Sequence, residues 1–448
     1  MATDIQPAAV GTAEIEAPAR TRTGQTTGLL RFSTAGSVDD GKSTLIGRLL
    51  HDAKAIFDDQ LAAIESASKR RGEDMNLALL TDGLRAEREQ GITIDVAYRY
   101  FATPRRTFVI ADAPGHAQYT RNMVTGGSTA DLSIVLVDVR HGVVEQTRRH
   151  AAIAELLRVP HVVVAINKMD LVDFQEEAFD GVRSDFARLA DGLGLPQVTY
   201  IPISALQGDN VVECSSRMPW YLGPALLDHL ETVPVAVVPA NASFRLPVQW
   251  VVRTGSADPD YRSYAGRIEA GQLHPGDEVM VLPAGRRTRI ESIDTADGPL
   301  EHAVAPMSVA VRLADKIDVG RGDMITGIDG SPAVVSELLA LACCLSDEPL
   351  RPGIRYLLKA AARTVPAVIT AIEHRLDIET LERLPSPQSL GPNEIGLLRV
   401  RLSSPLAVDA YRDGRATGSF ILIDETSNAT VAGGMIEPET ITAGRETP

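Results

Sequence analysis

The sequence predicts an α/β domain with a mostly parallel sheet and helices on both faces, followed by two β-barrel domains. Three observations carry this prediction. Short β-rich runs alternate with longer amphipathic stretches in the first half of the chain, this alternation stops near residue 235, and short runs separated by turn residues continue to the end. Strand–helix–strand repetition is typical of a parallel sheet covered by helices, whereas closely spaced short strands are typical of small closed β domains.

The composition is that of an ordinary globular protein. A chain of 448 residues is too long for one compact core, so two or three domains are expected. The net charge of −15 provides no strong basic field for nucleic acid or an anionic membrane, a local basic patch being the alternative. The three cysteines show neither a disulfide framework nor a metal-ligand spacing. No apolar run approaches ~18 residues and no signal peptide is recognised, so we expect a cytoplasmic protein outside the membrane.

Five β-rich runs define the predicted parallel sheet of the first domain. They are Leu29–Thr34, Thr107–Ala111, Leu132–Asp138, His161–Asn167 and Val198–Pro202. Helical patterns follow several of them, at Lys42–Leu50, Thr147–Leu157 and Phe179–Leu193. Residues 1–27 have no periodic apolar pattern and are predicted to be a disordered tail, either dispensable or partner-binding. The first domain is therefore expected over residues 28–237.

Turn residues divide the second half of the chain into short predicted strands. The runs are Phe244–Val252, Tyr264–Glu269, Glu278–Leu282, Val334–Leu345, Ile354–Ala362, Glu394–Ser403 and Gly418–Asp424. They predict one β-barrel over residues 238–330, a second over residues 331–440, and a tail over residues 441–448.

A glycine-rich loop lies between the first predicted strand and the first predicted helix. It fits the pattern G-x(4)-G-K-[ST], whose glycines let successive backbone N–H groups face phosphates at a helix N-terminus. Lys42 is expected to contact the β- and γ-phosphates, and the Ser43 hydroxyl to bind Mg²⁺. A glycine turn without a ligand is the alternative. The predicted phosphate-binding residues are Gly36, Ser37, Val38, Asp39, Asp40, Gly41, Lys42, Ser43 and Thr44.

The motif N-K-x-D at the end of the fourth predicted strand indicates the base. The Asp170 carboxylate can accept hydrogen bonds from the ring N–H and the exocyclic amine of guanine, and adenine does not offer that pair. Asn167 is expected to join this loop to the purine and the phosphate loop, and the Lys168 stem to lie over the base. A simple Asn-Lys turn is the alternative. The predicted base-binding residues are Asn167, Lys168, Met169 and Asp170, with Ser204, Ala205 and Leu206 directing backbone N–H groups at the guanine carbonyl.

A third motif, D-A-P-G-H, follows the second predicted strand. Asp112 suits an outer-shell Mg²⁺ ligand, the Gly115 N–H can sense the γ-phosphate, and His116 can orient the attacking water. Upstream, Thr93 can complete the Mg²⁺ shell only while the γ-phosphate is present, which makes its segment a switch. A packed loop histidine and an ordinary strand threonine are the alternatives. The predictions are catalytic residues His116, Lys42 and Thr93, Mg²⁺ ligands Ser43, Thr93 and Asp112, and nucleotide contacts from Asp112, Ala113, Pro114, Gly115 and His116.

Three other segments are predicted to be structural. Asp39 and Asp40 are expected to be solvated or to stabilise their loop, because a carboxylate repels phosphate. Trp220-Tyr221 is expected to anchor a loop rather than to stack on a ligand. The run Arg286–Arg289 is expected to be an exposed strand, with a partner contact as the alternative.

Together these motifs resemble the translation-factor class of GTPases, in which a GTP-binding domain precedes two β-barrels. More closely, the chain resembles the large, GTPase subunits of bacterial sulfate adenylyltransferases, from about Leu29 to about Ile436. Asp40 stands where elongation factors usually have histidine, which favours the closer resemblance. The other segments that carry it are Ser37–Leu50, Leu80–Asp95, Gln118–Met123, Arg140–Gly142, Gln146–His150, Met218–Tyr221 and Tyr264–Arg267.

The resemblance implies a function that the motifs alone do not reach. In that family the GTPase subunit pairs, in a heterodimer or a larger assembly, with a small catalytic subunit that binds ATP and sulfate and makes adenosine 5′-phosphosulfate and pyrophosphate. GTP hydrolysis supplies the driving force, so GTP and Mg²⁺ are the implied cofactors, and no nucleic acid is expected. Some relatives add an adenylylsulfate kinase domain, which is not expected here. One alternative is a translation factor that delivers tRNA, and Asp40 and Met218–Tyr221 count against it. Another is a GTPase with an unrelated partner.

Overall fold

The computed structural model describes residues 28–37, 39–54, 96–114, 119–195, 197–235, 242–253, 261–377, 380 and 382–445. Four predicted site residues lie outside these ranges, namely Val38, Thr93, Gly115 and His116. Within the described part of the chain, an α/β domain is followed by two antiparallel β domains, so the predicted fold class is confirmed. None of the helices in the described ranges is long and apolar enough to cross a membrane.

A six-stranded sheet forms the centre of the first domain. Its strands are β1 (Leu29–Ala35), β2 (Ala97–Ala102), β3 (Thr107–Asp112), β4 (Leu132–Asp138), β5 (His161–Asn167) and β6 (Val198–Pro202). In the order β2-β3-β1-β4-β5-β6, all neighbouring pairs are parallel except β2 with β3. The antiparallel strand β2 has no counterpart among the predicted runs, because the exposed Tyr98 and Tyr100 and the intervening Arg99 break the apolar pattern at the sheet edge.

Helices cover both faces of this sheet, because alternate residues of a strand point to opposite sides. In β4, Ile134 and Leu136 pack into one apolar cluster, whereas Val135 and Val137 pack into the other. Burying each such aliphatic side chain contributes about 2 kcal/mol relative to leaving it exposed. The helices are α1 (Lys42–Asp52), α2 (Thr120–Gly127), α3 (Glu145–Leu156), α4 (Glu176–Leu193) and α5 (Leu226–Thr232), with a 3₁₀ turn at Met169–Val172.

The second domain is an antiparallel sheet that curls around one apolar core. Its strands are β7 (Arg245–Pro247), β8 (Trp250–Arg253), β9 (Arg262–Arg267), β10 (Gln272–Leu273), β11 (Glu278–Leu282), β12 (Arg286–Thr295), β13 (Gly298–Leu300), β14 (Ala303–Val304), β15 (Ser308–Leu313) and β16 (Met324–Gly327). The predicted strand Phe244–Val252 is two strands, since the chain leaves β16 after Pro247 and pairs with β9 from Trp250. The arginines at positions 286, 287 and 289 are exposed on β12, as predicted.

The third domain is a closed barrel. Its strands are β17 (Ala333–Cys344), β18 (Arg355–Ala360), β19 (Arg363–Leu376), β20 (Arg383–Pro385), β21 (Ile395–Val408), β22 (Ser419–Asp424) and β23 (Thr430–Ile436). The order β18-β22-β23-β17-β21-β19 returns to β18, which closes the ring, and β20 extends β19. Helix α6 (Pro438–Arg445) follows, and the Thr440 hydroxyl donates to the carbonyl oxygen of Leu339 at 2.9 Å and accepts from its N–H at 2.8 Å. The predicted boundary at residue 440 therefore falls inside a helix that packs on this barrel.

The third domain contacts both of the others. On the α/β domain, the Tyr411 hydroxyl donates to the carbonyl oxygen of Leu157 at 3.1 Å, and its ring packs into the apolar cluster under α3 and α4. On the second domain, Arg245 forms a two-pronged ion pair with Asp409, at 3.0 Å for each contact. These contacts join the three domains through the closed barrel.

Candidate nucleotide-binding site

The phosphate loop connects β1 to α1, which places it at the carboxyl end of the sheet, where parallel α/β folds bind ligands. Gly41 adopts the left-handed conformation, with φ 92°, and a Cβ atom there would lie 2.5 Å from Asn167 Nδ2. Only glycine satisfies both conditions, which explains the second glycine of the motif. Asp39 has φ 68° and is exposed, in keeping with a solvated loop position.

Asp40 is buried inside the loop and stabilises it. Its Oδ2 accepts a hydrogen bond from the Ser37 N–H at 2.7 Å, and its carbonyl oxygen accepts one from Asn167 Nδ2, also at 2.7 Å. Burial raises the pKa of the Asp40 carboxyl group, the Ser37 N–H opposes that rise, and the nearby Asp138 carboxylate adds to it. Asp40 therefore fits the predicted loop-stabilising role and is not solvated.

The lysine of the loop lies beside the third motif. Lys42 Nζ is 2.9 Å from Asp112 Oδ1 and also donates to the carbonyl oxygen of Ala113. Thr34 donates to the same Asp112 oxygen at 3.4 Å. The structure thus places Lys42, predicted to bind phosphate, beside Asp112, predicted to bind the metal ion.

The loop fits a magnesium-bound triphosphate. Ser37 Oγ is buried and has no hydrogen-bond partner among the residues that the structure describes, so a ligand oxygen would satisfy it. Ser43 is half-buried in the first turn of α1, and its hydroxyl together with the Asp112 carboxylate forms the oxygen donor set that Mg²⁺ prefers. The successive N–H groups at the start of α1 add positive potential for phosphate.

Asn167 connects the phosphate loop to the two segments predicted to bind the base, Asn167–Asp170 and Ser204–Leu206, which are called the base loops. Besides its contact with Asp40, its Oδ1 accepts a hydrogen bond from the Ala205 N–H at 2.9 Å. Asp170 Oδ1 accepts a hydrogen bond from Ser204 Oγ at 2.6 Å, which orients the carboxylate predicted to bind guanine. The Ala205 N–H, which the sequence predicted to donate to the guanine carbonyl, donates to Asn167 Oδ1 instead.

Two of the predicted base-site side chains point to different surroundings. Met169 is fully buried in the apolar cluster under α3 and α4, so its side chain serves the core. Leu206 is 66% exposed at the rim of the site. A residue that the motifs did not indicate, Arg48 of α1, reaches this rim and donates to the carbonyl oxygens of Ala205 and Leu206. Helix α1 therefore supports the base loop as well as the phosphate loop.

The segment around Trp220 supports the base loops from behind. Trp220 Nε1 donates to the carbonyl oxygen of Phe174 at 3.0 Å, and the Tyr221 hydroxyl donates to that of Pro224 at 3.1 Å. Burial raises the pKa of Tyr221 to about 12. Both aromatic residues pack against Phe179, so the prediction that they anchor a loop is confirmed.

A buried carboxylate, Asp138, lies at the end of β4 between the two main motifs. Arg140 and Lys168 both form ion pairs with it, at 2.7 and 2.9 Å. Burial alone would raise the pKa of Asp138, but the hydrogen bonds from Arg140 and Lys168 outweigh burial and hold the pKa well below its usual range. Asp40, Asp138 and His141 place oxygen and nitrogen atoms within 4.8 Å of one another, yet the two cations already balance this group. The sequence feature that could have indicated Asp138 is its position at the carboxyl end of a central strand, where parallel sheets bind ligands.

Comparisons with known proteins agree with this geometry. The family model described as "Elongation factor Tu GTP binding domain" matches residues 28–234, and that described as "GTP-eEF1A C-terminal domain-like" matches residues 337–437. The chain is 55% identical over 413 residues to the "Bifunctional enzyme CysN/CysC" of Mycobacterium tuberculosis, covering 92% of this chain and 67% of that protein.

Two further relatives have a name in common. The "Sulfate adenylyltransferase subunit 1" of Chromobacterium violaceum is 53% identical over 412 residues, which cover 91% of this chain and 86% of that protein. The protein of the same name from Laribacter hongkongensis is 51% identical over 424 residues, covering 94% and 87%. Identity at this level extends over all three domains.

Proposed function

Because the chain belongs to the family of sulfate adenylyltransferase subunit 1, we propose that it is the GTPase subunit of a two-subunit sulfate adenylyltransferase. In the overall reaction a sulfate oxygen attacks the α-phosphorus of ATP, and the bond to the β-phosphate breaks. Adenosine 5′-phosphosulfate and pyrophosphate are the products. The partner subunit holds ATP and sulfate, and this chain binds GTP and hydrolyses it to GDP and phosphate. The words "subunit 1" in the relatives' name support the existence of a partner subunit.

The observation that carries the GTPase assignment is the joining of two motifs through one side chain. Asn167 contacts both the phosphate loop, at the Asp40 carbonyl oxygen, and the base loop, at the Ala205 N–H. A bound nucleotide would therefore contact the phosphate loop and the base loops at the same time, and the Asn167 side chain sets the distance between them. The Asp170 carboxylate, oriented by Ser204, supports guanine over adenine.

Each residue of the site has a defined task in this proposal. Lys42 would exchange its contact with Asp112 for the β- and γ-phosphates, and Ser43 and Asp112, with Thr93 while the γ-phosphate is present, would hold Mg²⁺. When bound, Mg²⁺ neutralises phosphate charge. His116 orients the water that attacks the γ-phosphorus.

GTP hydrolysis measured with and without the co-purifying small subunit tests the proposal. We expect hydrolysis to rise when the small subunit, ATP and sulfate are all present, and to fall back when sulfate is omitted. The Lys42→Ala variant should still co-purify with the small subunit but show no sulfate-dependent hydrolysis.

A pull-down from a native extract separates this function from that of a translation factor, which the relatives' names do not favour. Recovery of a second protein with ATP sulfurylase activity is the expected result. Recovery of aminoacyl-tRNA without a second protein would overturn the proposal.

A further inference from the structure

The carboxylate of Asp138 is placed to control the geometry of the base loop. It is 1% exposed, and in the parallel register of β4 and β5 it lies opposite Asn167. Its Oδ1 accepts hydrogen bonds from Arg140 N and Nε, at 2.9 and 3.1 Å. Its Oδ2 contacts Arg140 at 2.7 Å and Lys168 Nζ at 2.9 Å. Both carboxylate oxygens are thus occupied by Arg140 and Lys168. Asp138 therefore holds other residues of the chain in place and does not bind the ligand itself.

Lys168 is the residue at which the first base loop, Asn167–Asp170, turns. It has φ 65° and ψ 34°, a left-handed conformation that costs free energy for any residue with a side chain. The turn ends β5 at Asn167 and starts the 3₁₀ segment Met169–Val172, which carries Asp170. A strained conformation persists only where its surroundings determine it, and the ion pair with Asp138 is the contact that holds the end of the Lys168 side chain.

We propose that Asp138 is a positioning residue for base recognition, which fixes the left-handed turn at Lys168 and thereby the orientation of Asn167 and Asp170 towards guanine. This inference rests on the proposed function, since it concerns the same nucleotide site. Asp138 contacts Lys168 directly and would act on the base through it.

A competing explanation must be separated from this one. Asp138 lies close to the Asp40 carboxylate of the phosphate loop, so removing its charge also changes the field at the phosphates. An effect through the phosphates is the same for every nucleoside triphosphate, whereas an effect through Asp170 depends on the base. The ratio of GTP affinity to ITP affinity distinguishes them, because inosine lacks the exocyclic amine that Asp170 binds and the phosphate contribution cancels in the ratio.

The experiment measures the dissociation constants of GTP and ITP for the full chain and for Asp138→Ala, Asp138→Asn and Lys168→Met. We expect the GTP-to-ITP preference to fall about tenfold in Asp138→Ala and in Lys168→Met, the loss expected for one hydrogen bond to a charged acceptor. Asp138→Asn keeps a neutral acceptor oxygen that Lys168 can still contact and should show a smaller fall. The double variant Asp138→Ala/Lys168→Met should be no worse than either single variant, because both remove one interaction.

Arg140→Ala is the matched control. It removes the Arg140 contacts of Asp138 but leaves the contact with Lys168, and because Arg140 also lies near the Asp170 carboxylate, the GTP-to-ITP preference should change less than in Lys168→Met. If Asp138→Ala does not fold, Lys168→Met removes the same ion pair from its more exposed side and decides the question. An unchanged preference in that variant, even with weaker binding of both nucleotides, would overturn the inference. Equal wild-type affinity for GTP, ITP and ATP would instead contradict the proposed function itself.

Discussion

At the level of single residues, the proposed base recognition depends on one carboxylate, Asp170, whose charge and acceptor geometry match guanine. Asp170 is held by a 2.6 Å hydrogen bond from Ser204, so it is already oriented without a ligand contact. Asn167, in contrast, uses both ends of its amide on the protein. Substituting Asp170 should therefore change which base binds, whereas substituting Asn167 should disturb the whole site.

Replacing Asp170 by asparagine should shift preference from GTP towards xanthosine triphosphate. Xanthine carries a carbonyl at purine position 2, which the amide N–H₂ can donate to and which a carboxylate repels. Competition between the two nucleotides, measured on the purified variant, checks this expectation. Retention of the wild-type GTP preference would remove Asp170 from the base-reading role, and Asp173→Asn, just beyond the same 3₁₀ turn, is a suitable control.

Replacing His116 by alanine should slow GTP hydrolysis by about 10²-fold while leaving GTP affinity nearly unchanged, as expected for a group that acts only on the attacking water. Single-turnover hydrolysis and equilibrium binding, measured side by side, separate the two effects. Wild-type turnover in this variant would assign His116 to packing.

Among the elements, helix α2, which follows the third motif in the sequence, contacts the third domain. It begins at Thr120, five residues after Gly115, and the Arg121 N–H donates to Asn393 Oδ1 at 3.0 Å. The Arg121 guanidinium also donates to the carbonyl oxygen of Leu345 at 3.2 Å. One end of strand β17 lies in this contact, where Cys343 packs with Tyr411 and residues of the α/β domain.

The reactivity of the cysteine thiols reports whether the α/β domain and the third domain stay in contact. Cys214 is exposed, whereas Cys343 and Cys344 are buried. Burial, with a contribution from Cys344, raises the pKa of the Cys343 thiol to about 12, so little of the reactive thiolate is present at neutral pH. We expect one thiol per chain to react quickly with Ellman's reagent under native conditions and all three after denaturation.

The Cys214→Ser variant is the control, because its native chain should show no fast thiol. A fast reaction in that variant would mean that the α/β domain separates readily from the barrel.

In the whole molecule, the second and third domains are joined by a charge pair in which Arg245 is buried, Asp409 is half-buried and the guanidinium is fully hydrogen-bonded. Arg245 donates to both oxygens of Asp409, to the hydroxyl groups of Ser243 and Thr326, and to the carbonyl oxygens of Phe244 and Gly330. Asp409 also accepts from Thr417 at 2.7 Å. A satisfied network of this kind favours one relative placement of the two domains.

Replacing Arg245 by alanine should lower the free energy of unfolding by about 1–3 kcal/mol, because the half-buried Asp409 carboxylate would lose its cation. Replacing Asp409 by alanine should cost a similar amount, and the double variant less than the sum. Urea denaturation followed by far-UV circular dichroism measures these differences. The exposed pair Arg289–Glu278 in the second domain is the control, since losing it should cost less than about 1 kcal/mol.

The contiguous motifs and the strand periodicity were predictable because they depend on neighbours in the sequence. The five parallel strands lie where the apolar runs placed them, since each buried strand needs its own continuous apolar residues. The edge strand β2 was missed, because an edge position tolerates exposed Tyr98 and Tyr100. The phosphate loop followed from the spacing of its glycines, one of which, Gly41, has the left-handed conformation that the motif requires.

The order of the amino acids was enough to predict the fold class, the phosphate loop and the base motif, because each is a local pattern with a local physical cause. Which distant charges meet depends on how the elements pack. Asp138 reaches Lys168 because β4 and β5 are parallel and in register, Arg48 reaches Leu206 because α1 packs beside the base loop, and Arg245 meets Asp409 across 164 residues. No local pattern marks these pairs, since their partners are chosen by the packing of whole elements.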